Sequence, residues 1–126
     1  MIEVALRQEL IKEIPEFNNQ IYPTNAPETA TKPYLVYTRL NTRKIKTFEG
    51  FTNKQVLTFM FSIMAIEYSE MKSLTQRVED FLMQLPGKVI GTQQIYIEDV
   101  NINNVSEQYE HELKVNRGII DFTIYF

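Results

Sequence analysis

Few residues in this chain are of a type and spacing that could do chemistry. The sole histidine, His111, lies in the polar stretch EQYEHELK at 107–114. General acid–base catalysis or metal binding would need partners converging on it, and a lone histidine among carboxylates is a poor site for a soft metal. Glu98, Asp99, Glu107, Glu110 and Glu112 supply hard oxygen ligands. Their spacing matches no calcium loop, and adjacent residues of a strand point to opposite faces. Ser62, Ser69, Ser73 and Ser106 lack the GxSxG context of a nucleophile elbow. With 4 glycines in the chain there is no phosphate-cradling loop, and with no cysteine there is neither a disulfide nor a thiolate metal site. The residues therefore give no reason to expect an enzyme, a cofactor or a metal.

One local charge asymmetry stands out. Arg39, Arg43, Lys44 and Lys46 are followed by Phe48 and Phe51 in a turn-rich segment that has no core to fill. A solvated hairpin arm is the plain reading. A protein–protein contact is the functional one, since arginine and aromatic residues are favoured in interfaces. Phosphate contact with base stacking is a third. The net charge of −3 gives no global support to nucleic-acid binding.

The elements that must carry these residues are legible in part. A chain of 126 residues with 44% hydrophobic content and 8 Phe and 7 Tyr fits one globular domain, residues 1–126. No stretch approaches the roughly 18 apolar residues needed to cross a bilayer, and the charged start MIEVALRQELIKE has no signal-peptide core, so the whole chain is expected to be mature protein outside any membrane.

Residues 55–85 organise the rest. The dense run QVLTFMFSIMAIEY places Leu57, Phe59, Phe61, Ile63 and Ala65 on one parity of a strand at 55–66. Its even positions are mixed, so that face is expected to be partly covered, by the N-terminal helix or by another subunit. A helix follows at once, with Met71, Leu74, Val78, Phe81, Leu82 and Leu85 at helical spacing, Ser69 as N-cap and Pro86-Gly87 as the stop. Ile2, Leu6, Leu10 and Ile14 predict an earlier helix over 2–14, closed by Pro15.

Residues 16–32 read as a connection pinned at Ile21-Tyr22, with Pro23 and Pro27 expected to forbid regular pairing. PYLVYTRL at 33–40 reads as the first strand, joined to 55–66 by a hairpin turning within 48–53. QQIYIEDVNI at 93–102 reads as a strand whose phase changes, through a bulge near Glu98-Asp99 or two half-covered faces. A polar turn region follows around Asn103-Asn104 and 106–112. The last strand spans 115–126, with Gly118 a candidate bulge. The expected fold is α+β: a mainly antiparallel four-stranded sheet in the order α-β-β-α-β-β, two helices packed on one face, and a long hairpin between strands 1 and 2.

Read along its length, the chain resembles the tail-completion proteins of long-tailed bacteriophages, also called tail-terminator or tail-to-head joining proteins. The resemblance rests on IYPTNAPETATKPYLVYTRL at 21–40, FMFSIMAIEYSEMKSLTQRVEDFL at 59–82 and YEHELKVNRGIIDFTIYF at 109–126. Within these it is carried by Tyr22, Pro23, Ala26, Pro27, Pro33, Tyr34, Tyr37, Tyr68, Tyr109 and Arg117. It implies a non-enzymatic virion protein, present in the host cytoplasm during assembly. Such a protein would form a ring, typically a hexamer, that caps the tail tube, ends its polymerisation and meets the head connector, with DNA passing only through its lumen.

A ring subunit needs two different contact surfaces. The residues proposed for them are Arg39, Arg43, Lys44, Lys46, Phe48 and Phe51. Other readings are another head–tail connector component, such as a head-closure or minor tail protein, or a small ligand-binding or enzymatic α+β domain. The last would need a deep apolar pocket with converging polar groups.

Overall fold

The computed structural model describes residues 2–27, 30–47 and 50–126, and for 44–47 and 50–53 the backbone course alone. The first helix, α1, spans Ile2–Glu13 and buries Ile2, Ala5, Leu6 and Leu10. Pro15 stops it and opens a single 3-10 turn, Pro15–Phe17, which drops Phe17 into the core. The strands then follow as β1 (Ile21–Pro23), β2 (Tyr34–Thr47) and β3 (Gly50–Ala65). Helix α2 spans Tyr68–Met83, a small hairpin pairs β4 (Val89–Ile90) with β5 (Ile95–Tyr96), and the chain closes with β6 (Asp99–Glu110) and β7 (Val115–Tyr125).

The expected four-stranded antiparallel sheet is not what forms. The main sheet has five strands in the order β1-β2-β3-β7-β6, β1 is parallel to β2, and β4 and β5 make a second, two-stranded sheet. The added strand comes from the segment that its prolines seemed to exclude. β1 is an edge strand, and it bonds to β2 through alternate residues: the Leu35 amide donates to the Gln20 carbonyl and the Thr24 amide to the Tyr37 carbonyl, both at the even positions. In that alternation the nitrogen of Pro23 faces away from β2, where its missing proton costs no ladder bond.

β3 is the central strand. Leu57, Phe59, Phe61, Ile63 and Ala65 are all buried on the face that carries both helices. From β7, Ile120, Phe122 and Ile124 join them. The Phe122 ring stacks on Phe59 at 5.7 Å between centroids and stands edge-on to Phe61 at 4.7 Å. Such pairs contribute about 0.5–1.5 kcal/mol beyond their burial.

The opposite face of β3 is not covered by α1, which lies over Tyr37, Phe59 and Phe61 on the helical face. Its cover is the connection itself: Tyr22, Ala26 and Ala30 pack on Tyr34, Val36, Met64 and Val115. Val56 and Ser62 on that face are also buried, while Thr58, Met60, Ile119 and Thr123 stay half-exposed.

Three register shifts sit where the sequence reading did not put them, one of them in the arm, between Lys44–Gln55 and Lys46–Phe51. Another inserts Leu40, between the pairs Arg39–Phe59 and Asn41–Thr58. The third inserts Asn103, between Ile102–Phe122 and Asn104–Asp121. The phase change after Ile97 needs no bulge, because the chain there leaves β5 and starts β6. The stretch expected to be a polar turn region, Asn103-Asn104 and 106–110, is instead the body of a long edge strand. One side of an edge strand faces solvent and tolerates polar residues.

Two smaller expectations also change. Helix α2 starts two residues early, with Glu67 at its N-cap and no side-chain cap, so Ser69 lies inside it. Gly118 is in regular register with both Ile63 and Glu107. Its missing side chain serves helix packing: a Cβ there would stand 2.1 Å from Thr75 Oγ1, 3.2 Å from Thr75 Cβ and 3.1 Å from Met71 Sδ. This is where α2 comes down onto β7. Gly118→Ala is therefore expected to lower stability by about 1–3 kcal/mol, the usual cost of overpacking. Thr75→Ala in the same chain should recover part of the loss, since it removes the nearest atom and leaves the other two. Paired denaturant titrations of the single and double variants check this.

Candidate functional site

The described residues bring no nucleophile, base and orienting group together. His111 is exposed in the turn between β6 and β7, with its ring edge-on to Tyr109 at 5.0 Å. The carboxylates are dispersed among separate partners. Glu98 pairs with Lys54. Glu107 lies on the helical face against α2, and Glu110 on the opposite face against Arg117. No group of three acidic, histidine or cysteine side chains that could hold a metal occurs among the described residues.

A groove of about 480 Å³ lies on the face of the sheet opposite the helices, lined among others by Ala26, Lys32, Thr38, Met60 and Arg117. Arg117 is its one organised polar feature. Its Nη1 donates to Glu110 Oε1 at 3.1 Å and its Nη2 to Ser62 Oγ at 2.9 Å. Two positions along the same face of β7, beyond Ile119, stands Asp121. Arg117 Nε and Asp121 Oδ1 are both buried without a hydrogen-bond partner among the described residues. Beside the groove, burial raises the Tyr34 hydroxyl above its ordinary pKa, with Arg117 pulling the other way.

The basic residues singled out from the sequence do not form one patch. The bulge at Leu40 reverses the parity of β2 beyond it. Arg39 stays opposite Phe59 on the helical face, where its guanidinium pairs with Glu3 of α1 and lies 5.9 Å from the centre of the Phe59 ring. Arg43, opposite Val56, falls on the other face and is exposed. Without the extra residue the two would share a face. The side chains of Lys44, Lys46 and Phe51 lie outside the described residues, and so does Phe48 altogether. The backbone carries Lys44 and Lys46 on a hairpin arm: β2 and β3 stay paired out to Thr47 and Gly50, whereas β7 accompanies β3 only as far as Val56.

Sequence reasoning missed the two exposed edges. β6 pairs with β7 alone, over the whole of Asp99–Glu110. On the far side of the sheet β1 covers β2 only at Leu35, Val36 and Tyr37, which leaves 38–47 without an outer neighbour in the sheet. Exposed apolar side chains accompany both edges: Val105 at 40% and Tyr109 at 46% on β6, and Leu40 at 53% on β2. The signal for β6 was present in its alternating Val100, Ile102 and, past the bulge, Val105, but its polar content disguised it.

β6 is clasped to α2. The Tyr68 hydroxyl donates to Glu107 Oε2 at 2.6 Å and the Lys72 ammonium to Glu107 Oε1 at 2.5 Å. The Lys72 bond, followed by the Tyr68 bond, holds the Glu107 carboxyl below its ordinary pKa, and the same Glu107 bond raises that of Lys72. A depressed carboxyl stabilises the folded chain above the unfolded glutamate value and loses that contribution as pH falls through the folded one. A raised lysine stabilises below its unfolded value and loses it as pH rises through the folded one. The clasp therefore works across the neutral range and opens at both extremes. Both groups are solvent-accessible, so salt weakens it. Glu107→Gln is expected to speed amide exchange in β6 at neutral pH, and the difference from the unaltered chain should close on acidification and in high salt. Exchange measured across that pH range by mass spectrometry checks this.

The fold has a counterpart among solved structures. A chain in the virion of a native gene transfer agent particle superposes with a TM-score of 0.67 at 12% sequence identity, covering 96% of this chain and 93% of that one. At that identity the likeness is one of fold, and it extends over nearly the full length of both. No protein-family model matches the sequence. No curated protein matches it either.

Proposed function

We propose that this chain is a non-enzymatic structural protein of a phage-like virion, acting at the head–tail junction as the ring that caps the tail tube, ends its growth and joins it to the head connector. The observation that carries this reading is the fold shared, over 96% of this chain and 93% of the other, with a component of a virion particle. The ordered sequence resemblance to tail-completion proteins agrees with it and supplies the narrower role. One further feature supports a structural part: among the described residues the sheet presents two open edges that a single copy leaves unpaired.

In this reading DNA meets the protein only in passing through the lumen. The partners are the tail-tube protein, the head connector and further copies of this chain. The arm at 39–51 is the contact element, with Arg43, Lys44, Lys46, Phe48 and Phe51 on it. Arg39 at its root instead ties β2 to α1 through Glu3.

Electron microscopy of particles made without this protein tests the role. Unjoined heads beside overlong tails are the expected result. Unjoined heads beside tails of normal length would make it a joining or head-closure protein instead. Normal particles would sink the reading. Removal of residues 43–51 should abolish assembly in light scattering while the remaining sheet still melts cooperatively.

A further inference from the structure

The two open edges lie on opposite sides of one sheet, and their strands run in opposite directions. β2 is antiparallel to β3, β3 to β7, and β7 to β6. A second copy set beside the first, with its helices on the same face, therefore brings its β2 antiparallel to the first copy's β6. No copy has to be turned over, and the contact repeats from each copy to the next. It is heterologous, and heterologous contacts build rings when their rotation closes.

The strands also differ in charge. β6, DVNINNVSEQYE, carries Asp99, Glu107 and Glu110 and no basic residue. β2, YLVYTRLNTRKIKT, carries Arg39, Arg43, Lys44 and Lys46 and no acidic one. A charged edge ordinarily repels other strands. Here an edge of one sign repels its own kind and attracts the other, so pairing of β6 with β6 or β2 with β2 is disfavoured. Some of these charges have partners within the chain: Glu107 has Lys72, Glu110 has Arg117, and Arg39 has Glu3. Arg43 is exposed on β2, and Asp99 is exposed at the start of β6.

β1 sets the register. Across the sheet, Arg39 stands level with Phe59, Phe122 and Ile102 in turn. An unshifted neighbour would set Val105, Ser106 and Glu107 of β6 against the edge of β2 that β1 already occupies at Tyr37, Val36 and Leu35. It must slide towards the tip of the arm, along 38–47. A stagger of this kind, repeated at each contact, is what a sheet needs to curl and close.

We propose that copies of this chain assemble by edge-to-edge strand pairing, the acidic β6 of one copy lying antiparallel along the basic 38–47 length of β2 of the next. This deepens the ring reading above and rests on it, by naming the surfaces that make the ring. The chain has no cysteine, so the contact can be trapped cleanly. Thr38 is level with Asn104, so a slide that brings Glu110 to Thr38 sets Gln108 beside Asn41. Gln108→Cys places a thiol on β6 and Asn41→Cys one on β2, both at exposed positions. A short bismaleimide is added to purified protein at rising concentration and to cells producing the particles.

The double variant is expected to give a ladder beyond the dimer in at least one of the two settings, and each single variant no cross-linked product. Dimers from a single variant as abundant as the ladder would overturn the proposal in favour of like-edge pairing. Absence of a ladder in both settings would also overturn it. If rings are still seen in that case, the ring reading survives and only these edges are excluded. Arg43 gives a second test that does not depend on the cysteines. Arg43→Glu should weaken association at least about tenfold. Unchanged association, with melting unchanged, counts against the proposal.

Discussion

The structure depends on burying the odd face of β3. That strand is flanked on both sides by other strands and roofed by both helices, and Leu57, Phe59, Phe61, Ile63 and Ala65 are each at most 1% exposed. Hydrophobic burial on this scale fixes register, because a slip of one residue would turn the whole row out to solvent. Register in turn decides which residues of β2 and β7 stand opposite it. Phe122 meets Phe59 and Phe61 on this account, and Gly118 falls under Thr75 where a side chain has no room. The rest of the sheet is hung from this strand, and its tolerance for irregularity grows with distance from it.

That gradient explains where the bulges lie. None occurs between β3 and β7, where ten consecutive pairs from Val56–Tyr125 to Ala65–Asn116 run without a shift. All lie in the outer ladders: at Leu40 and between Lys44 and Lys46 where β2 pairs with β3, and at Asn103 where β6 pairs with β7. An inserted residue there alters one ladder instead of two and leaves the core row untouched. The consequence for function is local but large. One extra residue in β2 commits Arg39 to Glu3 and the helical face, and hands Arg43 to the other. The root of the arm is thus anchored to α1 while its outer length is turned to a different surface.

How much of this was legible follows the same physics. The helices at Ile2–Glu13 and Tyr68–Met83 and the core row of β3 announce themselves by apolar periodicity, because burial there is one-sided and complete. The edge strands do not. β1 is three residues long and ends in Pro23, and its pairing depends on a parallel partner that no local pattern reveals. β6 is mostly exposed, so its composition is that of a turn although its backbone is extended for twelve residues. The division of Arg39 and Arg43 between two faces turned on a single inserted leucine. The open edges went unread because they are a property of strand order, and strand order is long-range.

The edges also bear on why a small domain would keep them. A twelve-residue edge strand with exposed Val105 and Tyr109 is the kind of surface that proteins shorten, cover or block. Here α2 clasps β6 from the helical face through Glu107, which fixes the strand's position without covering its outer edge. On the other side β1 covers three residues of β2 and stops. Protection against indiscriminate pairing is left to charge, with one sign on each edge. Charge, unlike steric cover, repels a like edge and admits an unlike one. A domain built only to stay monomeric gains nothing from opposite signs on its two edges, since a single sign would repel more effectively. Opposite signs on the two edges suit the edge-to-edge pairing proposed above.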